Sequence, residues 1–116
     1  MKKYFVLSGI VIAALIFANC NSARKATAAA IPKSTYATDV TALVTSYCTP
    51  CHIPDKGGNK KPYDNFANAK TDIDEMIRRI EMNPGEKGYM PFKKPKLNDS
   101  TIMAFKKWRD DGLLEK

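Results

Sequence analysis

Histidine is nearly absent from this 116-residue chain: there is one, at position 52. A single imidazole excludes any site that needs two from the same molecule. Cysteine is scarce and odd in number, three in all, so the thiols cannot all pair as disulfides. The net charge is +7, yet no run of like charges is long enough to form a basic tail. Nothing resembles a nucleic-acid-binding motif, and partners of that kind are not expected. Paired carboxylates, a nucleophile beside a base, and a glycine-rich phosphate loop are all missing from any context that would make them catalytic. No internal repeat and no alternating strand pattern is present. The length allows one domain and little more.

Long hydrophobic runs are also lacking, with one exception near the start. Tyr4 to Ala18 is apolar except at Ser8 and Gly9, and follows the basic Met1-Lys2-Lys3. The run falls short of the ~20 residues that cross a bilayer core and has the form of a signal-peptide h-region. Phe17-Ala18-Asn19-Cys20 resembles the lipobox of bacterial lipoproteins. That resemblance implies removal of residues 1–19, acylation of Cys20, and a lipid-anchored protein exported to the periplasmic side of a bacterial membrane. The other readings are a secreted protein with an incidental Cys20, or an uncleaved signal anchor. Residues 20–34 are small and polar and are interrupted by Pro32, which predicts a flexible tether.

Periodicity begins near Ser34. Tyr36, Val40, Leu43, Val44 and Tyr47 share one helical face, and Ser34 or Thr35 is placed to cap it. Residues 53–62 hold Pro54, Gly57, Gly58 and Pro62 and read as loop. Ile73, Met76, Ile77 and Ile80 form the stripe of a second helix between Tyr63 and Glu81. Asn65 is its expected cap, with a possible break at Lys70-Thr71. After Asn83-Pro84-Gly85 the chain runs irregularly to Asn98, the expected cap of a last helix. That helix buries Ile102, Phe105 and Trp108, and Gly112 is placed to stop it. The class is all-α, with three or four helices and long loops.

Between the first helix and the first loop stands Cys48-Thr49-Pro50-Cys51-His52, the C-x-x-C-H signature of c-type haem attachment. In that chemistry each thiol adds across a porphyrin vinyl group, and the adjacent histidine reaches the iron from one face. A domain of ~80 residues buries only a modest core, so a large apolar cofactor makes sense of the long loops. A plain redox dithiol belongs near a βαβ pattern, missing here, and zinc is left a ligand short. Helix, C-x-x-C-H, loop, helix, Met-Pro loop and final aromatic helix together resemble a class I monohaem cytochrome c over Tyr36–Leu114.

The resemblance implies a cytochrome c domain at 35–116, with helices wrapped around one haem c. It implies a methionine opposite His52, for which Met90 in Gly88-Tyr89-Met90-Pro91-Phe92 corresponds, Pro91 holding it out of the helical region. Met76 and Met103 read as helix packing, while Met82 at a helix end stays open. The resemblance also implies a proline carbonyl, of Pro54 or Pro62, behind His52. His/Met ligation leaves no position for substrate, so the expected activity is electron transfer and not catalysis. An alternative keeps the haem with a labile or vacant distal position, as in a peroxidase or small-gas sensor. Lys56, Lys60, Lys61, Lys87, Lys93, Lys94 and Lys96 lie in the two loops expected at the haem edge, where they would steer an acidic redox partner. Asp72, Asp74, Asp110 and Asp111 read as helix-surface charges.

Overall fold

The structure is a computed structural model that describes residues 30–116. The apolar stretch, the lipobox-like segment with Cys20 and most of the expected tether lie outside the described residues. The compact unit is Pro32–Lys116. Within it Ser34 is buried, and its N–H donates to Asp111 Oδ2 at 2.6 Å.

Three α-helices and no strand make up the described residues, which is the all-α class. A π-helical turn, Tyr36–Val40, leads directly into α1, Thr41–Tyr47. Thr35 caps the turn by accepting from the Thr38 N–H, satisfying a donor the helix itself cannot. The wide turn closes where the Thr41 N–H bonds the Tyr36 carbonyl, and the Thr41 hydroxyl donates to the same oxygen at 2.9 Å. A 3₁₀ turn, Pro54–Lys56, is the only regular piece of the first loop.

α2 runs Phe66–Glu81 and α3 runs Asp99–Asp110. Asn65 and Asn98 cap them as expected, accepting from the N–H groups of Asn68 and Thr101. The break anticipated at Lys70-Thr71 does not occur. Thr71 turns its hydroxyl onto the Ala67 carbonyl at 2.8 Å, a bond that keeps a threonine inside a helix instead of capping a new one. Gly112 ends α3 at φ 104, in the left-handed region where a Cβ is unfavourable. No described helix is long and apolar enough to cross a membrane.

One ring from each helical segment meets at the centre. Tyr36 lies 5.6 Å from Phe66 and 5.7 Å from Trp108, and Phe66 and Trp108 are 6.3 Å apart. Trp108 and Phe105 are essentially solvent-free, and the Trp108 indole N–H donates to the Leu114 carbonyl at 2.8 Å. Ile73, Met76, Ile77 and Ile80 of α2 complete this core with Val40 and Val44. Met103, expected to pack, is instead 65% exposed. It falls off the stripe set by Ile102 and Phe105 and lines a shallow surface depression with Glu81, Lys96, Asp99, Ile102 and Lys106.

Candidate functional site

The C-x-x-C-H stretch follows α1 as a hydrogen-bonded turn, with the Thr49–Pro50 peptide cis. The Cys48 N–H bonds the Val44 carbonyl at 2.9 Å, and the His52 N–H bonds the Cys48 carbonyl at 3.0 Å. Cys48 and Cys51 stand three residues apart on this turn. Neither is in a disulfide. Cys51 is exposed and Cys48 half-buried. Burial pushes the Cys48 thiol up to about 11, with the Lys94 ammonium opposing the shift.

The loop after the motif folds back onto it. The Lys60 N–H bonds the Cys51 carbonyl at 2.9 Å, and the Tyr63 N–H bonds the His52 carbonyl at 3.1 Å. Gly58 lies so close to the motif that a Cβ there would collide with the Pro50 carbonyl oxygen and come within 2.6 Å of the Cys51 carbonyl oxygen. His52 stacks on Tyr63, centroids 4.5 Å apart and rings inclined by 14°.

Behind the ring, His52 Nδ1 is 2.8 Å from the Lys61 carbonyl oxygen. A carbonyl only accepts, so Nδ1 carries the hydrogen, and in the neutral ring the lone pair is on Nε2. The orienting carbonyl thus belongs to Lys61, not to Pro54 or Pro62. The Pro62 carbonyl instead accepts from the Asn68 side-chain amide at 3.0 Å.

Met90 is half-buried against the core. Its N–H donates to the Arg79 carbonyl at 3.2 Å, near the end of α2. Tyr63, the stacking partner of His52, is bonded to Asp72 on the same helix at 3.1 Å. Asp72 and Arg79 are two turns apart, about 10 Å of helix rise. α2 therefore holds the His52 loop at one point and the Met90 loop at another on one side. A second tie joins the loops directly: Lys94 Nζ donates to the Thr49 carbonyl at 2.8 Å.

The remaining methionines divide clearly. Met76 is buried in the core. Met82 has its sulfur 3.6 Å from an Arg78 guanidinium nitrogen. A cleft of about 710 Å³ is formed by the loop from Pro84 to Lys94 and is lined by Tyr89, Met90 and Phe92 among others. Cys48, Cys51 and His52 do not line it. Among the described residues no group of three or more His, Cys, Asp or Glu converges as a metal site.

Several residues were read too simply from sequence. Asp72 is not a plain surface charge: it accepts from Lys61 Nζ at 2.8 Å and from the Tyr63 hydroxyl. Asp111 accepts from Ser34 and Lys107. All seven loop lysines are exposed; Lys61, Lys94 and Lys96 also make hydrogen bonds within the protein, and Lys93 Nζ lies 5.3 Å from the Phe92 ring centroid. Tyr63 and Gly58 carried no signal beyond their place beside the motif. Comparison with protein-family models, curated proteins and solved structures returned no match.

Proposed function

We propose that this chain is an exported, lipid-anchored electron carrier of the class I cytochrome c type. One haem is attached through Cys48 and Cys51, with His52 and Met90 as axial ligands and Cys20 as the acylated residue. The observation that carries the reading is the state of His52: its Nδ1 is engaged by the Lys61 carbonyl, beside two thiols on one turn. Such a bond fixes ring orientation and raises ligand basicity. The ties from Arg79 and Lys94 to the Met90 loop support a second ligand from that loop. A haem so held would supply a one-electron couple. Leu43, Tyr47 and Tyr63, half-buried at the edge of the core, would flank it and exclude water.

The test is a reduced-minus-oxidised visible spectrum, with intact mass, of protein from a host with cytochrome c maturation. One haem of added mass and a c-type spectrum are expected. Bare peptide with both thiols open to alkylation overturns the reading. Met90→Ala is expected to abolish the ferric sulfur-to-iron band. The alternative keeps the haem with a labile or vacant distal position, suited to peroxide or a small gas. Rapid carbon monoxide binding by the ferrous wild-type protein would select it, and slow or absent binding selects the carrier.

A further inference from the structure

His52, Lys61, Asp72 and Tyr63 form a closed ring of contacts. The His52 Nδ1 hydrogen goes to the Lys61 carbonyl at 2.8 Å. The ammonium of that same lysine reaches Asp72 Oδ1 at 2.8 Å. Asp72 Oδ2 accepts the Tyr63 hydroxyl at 3.1 Å, and the Tyr63 ring stacks on His52 at 4.5 Å. Tyr63 is also pinned along its backbone, its N–H on the His52 carbonyl at 3.1 Å and its own carbonyl taking the Tyr36 hydroxyl at 2.6 Å.

The ordinary role of an aspartate on a helix is to face the positive N-terminal end. Asp72 does not serve it, since the first turn of α2 contains no acid and Asp72 lies beyond that turn. Its two oxygens are instead spent on two different residues, each of which touches His52 by a different contact. We infer that Asp72 is the positioning residue for His52, acting through the Lys61 peptide and the Tyr63 ring so that Nε2 is the nitrogen presented to a ligand-accepting centre. The tautomer part of this inference stands on the apoprotein geometry, while its redox consequence rests on the haem reading.

The single histidine makes the experiment unambiguous. In the ¹⁵N-labelled, haem-free full-length chain, two-bond ¹H–¹⁵N correlation at a pH where the ring is neutral reports the tautomer. The wild type is expected to be mainly Nδ1–H. Asp72→Ala, Lys61→Met and Tyr63→Phe are each expected to lose that dominance. Lys61→Met keeps the backbone carbonyl and changes only an exposed side chain, so it decides the matter should Asp72→Ala fail to fold. A merely structural role would lower the melting temperature and leave the tautomer untouched, and that result overturns the inference. In haem-loaded protein the same variants are expected to raise the reduction potential, because a less basic imidazole favours the ferric state less. Failure to take up haem would remove the functional reading while leaving the tautomer measurement to decide this one.

Discussion

Cys48 and Cys51 are chemically unequal although one motif holds both. Cys51 is exposed and Cys48 half-buried, its thiol pushed up to about 11 by desolvation. Against its ordinary 9.0, that leaves roughly a hundredfold less thiolate near neutral pH. Iodoacetamide should therefore label Cys51 well before Cys48 in haem-free protein, as peptide mass mapping would show; equal rates would contradict the burial. The pair and its histidine were legible in the sequence because their spacing is local. Asp72 was not, because its partners come from a loop that only the fold brings to α2, and a lone aspartate on a helix carries no sign of them.

At the level of elements, helix starts and loop positions were readable, and what the loops fold against was not. Asn65 and Asn98 act three residues along their own chain, a relation that sequence displays directly. Thr71 defeated the same logic, because its hydroxyl found a carbonyl inside the helix. The loop at 53–62 was legible as loop from its prolines and glycines, but not as the lid over the motif's backbone. Gly58 is where that closure is tightest. Gly58→Ala should push the loop off the Pro50 and Cys51 carbonyls, lowering stability by about 1–3 kcal/mol and impairing covalent haem yield. Chemical denaturation reads the first effect and pyridine haemochrome the second. An unchanged midpoint would mean that the loop gives way freely.

Over the whole molecule, charge divides into what holds the fold and what faces outward. Glu75, Asp72, Asp39, Asp111 and Glu86 all sit below their ordinary carboxylate values. Glu75 is held at about 2, chiefly by hydrogen bonds from Arg78 and Arg79. Because the folded values are the depressed ones, their contribution is complete above the unfolded values and is lost as pH falls through the folded ones. The melting temperature should therefore fall as pH drops from 4.5 toward 2, and differential scanning fluorimetry across that window checks it. Among the lysines first assigned to docking, Lys61, Lys94 and Lys96 are engaged internally. Reversing the charge of exposed Lys87 and Lys93 should slow reduction by an acidic partner roughly tenfold at low salt. Stopped-flow rates that do not move would remove the steering role.

The first residues of the folded unit depend on its last ones. Ser34 bonds Asp111, the Tyr36 N–H takes the Leu114 carbonyl at 2.8 Å, and the Ala37 N–H takes the Glu115 carbonyl at 3.0 Å. The segment that feeds the thiol-bearing turn is thus clasped only after nearly every later residue has arrived. If the chain is exported as proposed, threaded from its N-terminus, that clasp would shut late, after passage and not during it. The proposed haem attachment at both sulfurs would then fall in the interval before the molecule locks.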